Sequence, residues 1–580
     1  LDYNPVKDLL LSAIGAYTYT NGEERTYRST MKLSGDRVLG PSELKHKMGK
    51  TIYKTFQATA EYNKTIGEHT FGILAGYSWE QEDYRYVQGS RDKFPGNDLP
   101  YLNAGSPDNQ KSEGTGNAWA IQSGFGRLRY NFNERYLFES TVRYDGSSRF
   151  PQSKKFGFFP SVAAGWRLSE ENFFKENESL GFISNLKLKV SWGRLGNQNI
   201  GNYPYQSVYE LGQNYPFGDT YTQGAAVTTA VDPTIKWEET ETIDGGLEAV
   251  FWNGLLSVNA SYFNRRTYDI LYKPSGSVST ILGQKISEMN TGELKNFGWE
   301  FEVGHRNKIG DVSYNVNANL SIIKNKLTTL GVGNVEQLNG MVGNGSDLFI
   351  GYPIQMYYGY VSDGVFLDEN DIKSWYDQSK VTPNPQPGDI RYKDISGPDG
   401  VPDGKIDPNY DRVYLGSRIP KFTFGLNLGV EYKGLDLSVL LQGVAGVTGM
   451  LDGFAGWAFR GDGNIQKWQA EGRFDPANPT RYPAYPRLED LSNSTTPNIV
   501  TSDFWTQDAS YIRLKNIQLG YTFPKKMLQA AKISNLRVYV QAENPLCWNK
   551  YKPGWDPEIN TSGNYYPILA TYTFGVNFKF

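Results

Sequence analysis

From Val312 to Ile322 the chain alternates strictly: Val312, Tyr314, Val316, Ala318, Leu320 and Ile322 fall on one side, and Ser313, Asn315, Asn317, Asn319 and Ser321 on the other. A period of two is a β-strand with one apolar and one polar face. The alternation returns in Phe422, Phe424, Leu426, Leu428 and Val430 against Thr423, Gly425, Asn427, Gly429 and Glu431, and again in Leu256, Val258, Ala260 and Tyr262. Strands of a soluble sandwich also alternate, but their outer face looks at open water and tends to carry Lys and Glu. Here the polar face is mostly Ser, Asn, Thr and Gly. With 62 Gly, 40 Tyr and 14% aromatic residues among 580, the composition favours many strands joined by turns and argues against helical bundles. The expected fold class is all-β.

Mean hydropathy is −0.53, and the longest apolar runs fall short of the roughly 18 to 20 residues that a membrane-spanning helix needs. A transmembrane barrel is compatible with that, because each strand shows lipid one face only and hides a polar face in the lumen. The net charge of −3 provides no basic stripe, which argues against a nucleic-acid partner. The one cysteine, Cys547, rules out a disulfide framework within the chain. The opening Leu1-Asp2-Tyr3 has neither a basic nor an apolar leader region, so any export signal is expected on sequence outside it.

Strands are expected at about 9–20, 27–34, 53–63, 69–79, 119–132, 136–144, 158–167, 186–194, 240–251, 255–265, 297–306, 312–324, 421–432, 435–443, 510–523, 536–545 and 570–580. The connections alternate in length. Short ones fall at 21–25, 64–68, 133–135, 252–254, 307–311 and 433–434; long ones fall on the opposite parity at about 80–118, 195–239, 266–296, 325–420, 444–509 and 546–569. Two on the short side, 169–185 and 524–535, are longer and partly helical. Outer-membrane barrels segregate short periplasmic turns from long outer loops in this way. If the last strand ends in the periplasm, every long loop lies outside the cell. Seventeen is odd, whereas single-chain bacterial barrels close on an even number, so the N-terminal part of the wall is expected to be absent. On this reading, residues 1–580 are the C-terminal part of one antiparallel transmembrane barrel, crossing the bacterial outer membrane many times.

The final strand alternates Tyr572, Phe574, Val576, Phe578 and Phe580 with Thr573, Gly575, Asn577 and Lys579. An aromatic terminus resembles the signal by which outer-membrane barrels are handed to their assembly machinery, with Tyr572, Phe574, Phe578 and Phe580 as its residues. An ordinary last strand is the plainer reading.

Several segments resemble the SusC/RagA-type TonB-dependent outer-membrane transporters. They are Arg143 to Phe150 with Pro160-Ser161 and Gly165-Trp166, then Leu186 to Asn197, Trp237-Glu238 with Thr242, and Gly246-Leu247-Glu248. They continue through Asn290 to Glu293, Asn296 to Glu300, Pro387 to Asp394, Pro420-Lys421, and Asn544 to Glu558 with its Asp556-Pro557-Glu558. The match runs in order from about residue 50 to the end. The resemblance implies a barrel similar to the 22-stranded, plugged transporters, with about five strands, the plug and the TonB-contacting segment on sequence not present here. It implies TonB-powered import of large nutrients, oligosaccharides or peptides, beneath a SusD-like surface lipoprotein acting as a lid. Two rivals stand beside it: a siderophore or cobalamin receptor without a lid, and a structural or adhesive barrel with no transport role.

Two features of the long loops are candidate sites. Asp394, Asp399, Asp403, Asp407 and Asp411 lie in the longest loop, and Asp403-Gly404-x-Ile406-Asp407 resembles the middle of an EF-hand-type loop. Val401 stands where Asp or Asn belongs, and Asp411 falls one residue late. A structural Ca²⁺ and a metal-free acidic turn are both open, and no other cofactor is required. The loops are also rich in aromatics: Tyr203, Tyr205, Trp457, Phe459, Trp468, Tyr485, Trp505, Trp548 and Trp555. Three readings compete for each: substrate platform, lid-docking surface, or loop core. Tyr53, Tyr62, Tyr77, Trp79, Tyr262 and Tyr432, near strand ends, read as an interfacial aromatic girdle. The three histidines, His46, His69 and His305, are scattered and give a hydrolase or zinc site little to work with. No enzymatic activity is expected.

Overall fold

Each strand of the main sheet pairs antiparallel with its neighbours in sequence, from first to last. Numbered in order, the strands are β1 Asp2–Val6, β2 Leu9–Arg28, β3 Glu43–Ile66, β4 His69–Asp92, β5 Lys111–Phe132, β6 Tyr136–Ser147, β7 Phe156–Arg167, β8 Ile183–Asn197 and β9 Glu238–Phe251. They continue as β10 Leu256–Tyr268, β11 Glu293–Ile309, β12 Val312–Thr329, β13 Phe422–Tyr432, β14 Leu435–Ala445, β15 Tyr511–Thr522, β16 Asn535–Asn549 and β17 Thr571–Lys579. Among the described residues, β1 pairs within this 17-stranded sheet only with β2 and β17 only with β16. The computed structural model describes residues 1–580 apart from 275–280, 282, 332–334, 337–339, 345–346, 491–496, 530–531, 553 and 560–565. Parts of the expected loops 266–296, 325–420, 444–509 and 546–569 thus lie outside the described residues.

The register sorts side chains between two faces, because cross-strand partners share a face. One row runs Tyr136, Trp166, Leu188, Leu247, Ala260, Phe301, Leu320, Phe424, Gly443, Ile512 and Trp548 across eleven strands without a charged residue. One residue along, and therefore on the opposite face, the row reads Arg167, Lys187, Glu248, Asn259, Glu302, Asn319, Gly425, Gln442, Arg513 and Cys547. An apolar outer wall and a polar inner wall are what a barrel in lipid requires. Tyr572, Phe574 and Phe578 continue the apolar face onto β17, facing Ala542, Val540 and Leu536.

Connections alternate as the sequence suggests. One rim carries 7–8, 67–68, 133–135, 168–182, 252–255, 310–311, 433–434 and 523–534; the other carries 29–42, 93–110, 148–155, 198–237, 269–292, 330–421, 446–510 and 550–570. The tight Lys433-Gly434 turn has φ of 47° and 91°, the two positive values that a two-residue hairpin needs to follow the strand twist. Short helices Asn172–Lys175 and Lys525–Leu528 occupy the two longer connections on the short rim.

Three expectations need correction. Residues 9–20 and 27–34 are not two strands with a turn at 21–25: β2 runs unbroken through Asn21-Gly22. Glu23, Glu24 and Arg25 keep their ladder against Met48, Lys47 and His46, helped by a 2.7 Å contact from His46 Nε2 to Glu23 Oε1. The count of seventeen survives because Asp2–Val6, missed in the sequence, supplies a strand in its place. Secondly, most of 80–118 is strand: β4 and β5 are 24 and 22 residues long and leave only 93–110 as loop. Thirdly, Tyr53 is not a girdle residue. It shares the inner face with Glu82 and donates its hydroxyl to Glu80 at 2.6 Å.

Candidate functional site

Most of the large side chains buried most deeply lie not in the sheet but in the loops of the long rim. Tyr360, Ile390, Tyr392, Ile406, Leu451, Ala455, Ala458, Tyr485, Trp505, Ala509 and Tyr551 form one apolar cluster, drawn from the connections 330–421, 446–510 and 550–570. Main-chain bonds stitch these loops together. Tyr360 N donates to Thr501 O at 3.0 Å, Asp503 N to Tyr360 O at 3.0 Å, Val365 N to Arg481 O at 2.9 Å and Arg487 N to Gly388 O at 2.9 Å. Gly359 lies against this seam, where a Cβ would fall 2.2 Å from Thr501 O. The loops therefore form a folded body with its own core.

Buried charge reinforces the seam. Arg391 lies 3.5 Å over the Trp375 ring and reaches Asp371 Oδ1 at 3.0 Å and the Asp363 carboxylate. Arg481, from the next connection, also holds Asp371, with Nη2 at 3.1 Å from Oδ1. Burial alone pushes the Asp371 carboxyl up, but Arg481, the Leu367 N–H and Arg391 outweigh it and hold the group below its ordinary value. Asp389, paired with Arg487 and Asn498, is the reverse case: burial wins and its carboxyl is pushed up. Burial likewise pushes up the phenols of Tyr360, Tyr392 and Tyr485, which stay neutral.

The body is tied to the inner wall. On β15, Arg513 shares the inner face with Gln442 and Cys547. Its Nη2 lies 2.7 Å from both Asp556 oxygens and 2.8 Å from Glu558 Oε2, and Tyr511 donates its hydroxyl to Glu558 Oε1 at 2.6 Å. Beside this knot a half-enclosed polar hollow of about 260 Å³ is walled by Tyr357, Arg418, Thr448, Asp452, Tyr551 and Glu558. Asp556-Pro557-Glu558 is legible as part of the family resemblance, but its partner lies 43 residues earlier in a strand, where no local signal marks it.

The expected aromatic sites separate. Tyr485 and Trp505 are buried and belong to the loop core, not to a contact surface. Trp457, Trp468 and Trp555 are half-buried against the same core, and Tyr205 against a second cluster around Phe150, Phe159, Ile235 and Trp237. Trp548 is not in a loop: it sits in β16 on the apolar outer row, opposite Ile512, as a girdle residue would. Tyr203 and Phe459 keep partial exposure. Exposed aromatic surface also lies on the hairpin of Tyr215–Phe217 and Thr220–Thr222, which leaves Tyr215, Phe217 and Tyr221 open to solvent, with Tyr209 exposed ahead of it.

The acidic loop does not fit a calcium ion as it stands. Asp411 spends both oxygens on three main-chain donors, Ile395 N at 2.7 Å, Ser396 N at 3.1 Å and Asp407 N at 2.6 Å. Asp407 faces the Lys380 ammonium, Asp403 accepts from Lys405 N at 3.0 Å, Asp394 accepts from Gly404 N at 2.6 Å, and Asp399 is exposed. Among the described residues no three His, Cys, Asp or Glu side chains come together as a metal group. The loop takes the form of a turn organised around Asp411, with the Lys380 ammonium against Asp407.

Residues 1–544 match the family model described as "TonB dependent receptor-like, beta-barrel". The chain is 27% identical to TonB-dependent receptor P3 of Formosa agariphila, aligning along all of this chain and 57% of that protein. It is 28% identical to TonB-dependent receptor SusC of Bacteroides thetaiotaomicron, across 99% of this chain and 54% of that one. Among solved structures, that of the RagAB peptide importer in its 'open-open' state superposes with a TM-score of 0.80 at 25% identity, covering all of this chain and 60% of the other. The chain thus spans little more than half the length of the relatives it matches. With a polar inner wall, an apolar outer wall and a family model matched over nearly its whole length, the chain belongs to the TonB-dependent receptor-like β-barrel family, whose members are outer-membrane transport proteins rather than enzymes.

Proposed function

We propose that this chain forms the wall and outer mouth of an importer for large nutrients, oligosaccharides or peptides, driven through TonB and covered by a SusD-like lipoprotein. The observation that carries this reading is the folded loop body standing over a polar inner wall. A passive pore needs no such roof, whereas a path that captures a large polar solute before moving it needs a shaped mouth. The similarity to the RagAB peptide importer supports the nutrient reading, and that to TonB-dependent receptor SusC of Bacteroides thetaiotaomicron supports the TonB drive. The exposed hairpin at Tyr215–Phe217 and Thr220–Thr222 supports a protein lid, since a cluster of solvent-facing Tyr and Phe is characteristic of surfaces covered in an assembly.

The test is direct. Purification of the whole protein from outer membranes is expected to bring down a lipoprotein in near-stoichiometric amount. A deletion strain is expected to lose uptake of one class of fluorescently labelled oligosaccharide or peptide while retaining small solutes. Unchanged uptake of every labelled class, with no co-purifying lipoprotein, rejects the proposal in favour of a structural barrel.

A further inference from the structure

The Arg513 side chain is only 3% exposed, and among the described residues its Nε has no hydrogen-bond partner. A cation held this deep, with one donor unmatched, adds little net stability, because its desolvation offsets most of the attraction. Nor does β15 need it, since the strand is already laddered to β14 and β16. What the guanidinium does hold is the segment 555–558. Trp555 gives its indole N–H to Gln466 Oε1 at 2.8 Å, and Gln466 Nε2 donates to Phe454 O at 2.9 Å and Ala455 O at 3.0 Å, inside the loop body. Asp556 and Glu558 grip the wall. Four consecutive residues thus join the body to the inner face of the barrel.

We propose that the segment 555–558 is a bolt and that Arg513 is the positioning residue that closes it, fixing the loop body as a roof over the inner wall of β14 to β16. The bolt is independent of what is imported. It also sets the shape of the polar hollow, because Glu558 and Tyr551 are both carried by the bolted connection. Without Arg513, Asp556 and Glu558 lose the charge that draws them to the wall, and the Tyr511 hydroxyl on Glu558 is the contact that remains there, while Trp555 and Tyr551 still hold the connection to the body. The connection then swings clear while β15 stays in its ladder.

The chain carries its own reporter. Cys547 lies opposite Arg513 in the ladder, half-buried, within electrostatic reach of Arg513, Asp556 and Glu558. In the whole protein in outer-membrane vesicles, the rate at which a small hydrophilic maleimide labels Cys547 can be followed by peptide mapping. Arg513→Gln is expected to speed labelling at least about tenfold, as is the double variant Asp556→Asn/Glu558→Gln, which leaves β15 untouched if Arg513→Gln lowers the yield. Arg513→Lys keeps the charge but not the reach to both carboxylates, and is expected to restore slow labelling in part. Asp371→Asn, which loosens the body away from the bolt, is expected to leave the rate as it was. Wild-type labelling rates in both bolt variants, or equal acceleration by Asp371→Asn, would overturn the proposal.

Discussion

Trp505→Ala offers the sharpest separation between a folded loop body and a set of ligand-facing loops. The side chain is 1% exposed, edge-on to Tyr485 at 5.8 Å and Phe504 at 5.1 Å, and its indole N–H donates to Asn498 O at 2.6 Å. Truncating a buried tryptophan costs about 3 to 5 kcal/mol, and stranding the Asn498 carbonyl adds about 1 kcal/mol or more where water does not reach it. The total of about 5 kcal/mol corresponds to an opening of the body more than about a thousandfold more frequent, at 1.4 kcal/mol per decade. Hydrogen exchange by mass spectrometry reads this directly. Amides of the body, such as Leu451, which donates to Trp505 O at 2.9 Å, and Tyr360, which donates to Thr501 O, are expected to exchange about three decades faster. Ladder amides of β13 and β14 are expected to keep their protection, because their bonds are to other strands. Trp505→Phe keeps most of the packing and loses the N–H, so it is expected to cost about 1 to 2 kcal/mol. Unchanged loop protection in Trp505→Ala alongside a loss of uptake would refute the reasoning and return Trp505 to the ligand platform. Equal loss of protection in loops and ladder would show that body and wall unfold as one.

Placing Phe301→Arg on the apolar row near the middle of β11 is expected to destabilise the folded barrel by about 2 to 4 kcal/mol in denaturant titrations in lipid vesicles, while Glu302→Gln, one residue on and facing inward, stays near neutral. The Asp371 carboxyl is held below its ordinary 3.8, so its contribution is full above that value and is lost as the pH falls through the lower folded value. Cleavage of the seam near 363–391 by an acid-active protease is therefore expected to rise below about pH 4, and Asp371→Asn is expected to remove that dependence. Asp389, pushed up by burial, acts with the opposite sign and resists acid. Chelating Ca²⁺ is expected to leave proteolysis of the 394–411 turn unchanged, whereas Lys380→Met is expected to increase it by uncovering Asp407.

The wall was legible because the rule that builds it is local: a period of two, interrupted by turn residues, needs no knowledge of distant partners. Where local signals failed, they lost to a partner elsewhere in the chain. Asn21-Gly22 is a strong turn signal, and it lies within a strand because the segment 43–49 offers Glu23 to Arg25 a complementary ladder. The loop body was opaque for the same reason on a larger scale. Its cluster joins residues from three connections separated by whole hairpins, and nothing near Tyr485 distinguishes it from the exposed Tyr482 three residues before. The acidic run left two readings open in the sequence, and the main-chain donors that take up Asp411 and Asp403 are visible only once the loop is folded.

The unequal lengths of the strands have a mechanical consequence. β3 and β4, each 24 residues, extend about 80 Å, or roughly 55 Å of height at a tilt near 45°, against an apolar band of about 25 Å. β13 and β14, each 11 residues, reach about half that height and barely clear the band. One flank of the mouth is therefore a tall parapet of continuous ladder, in which any bending breaks many main-chain bonds at once. At β13 and β14 the wall is a low sill, flanked by the connections 330–421 and 446–510 that carry the separately folded body. Deforming the wall at the long rim therefore breaks fewer main-chain bonds at β13 and β14 than at β3 and β4.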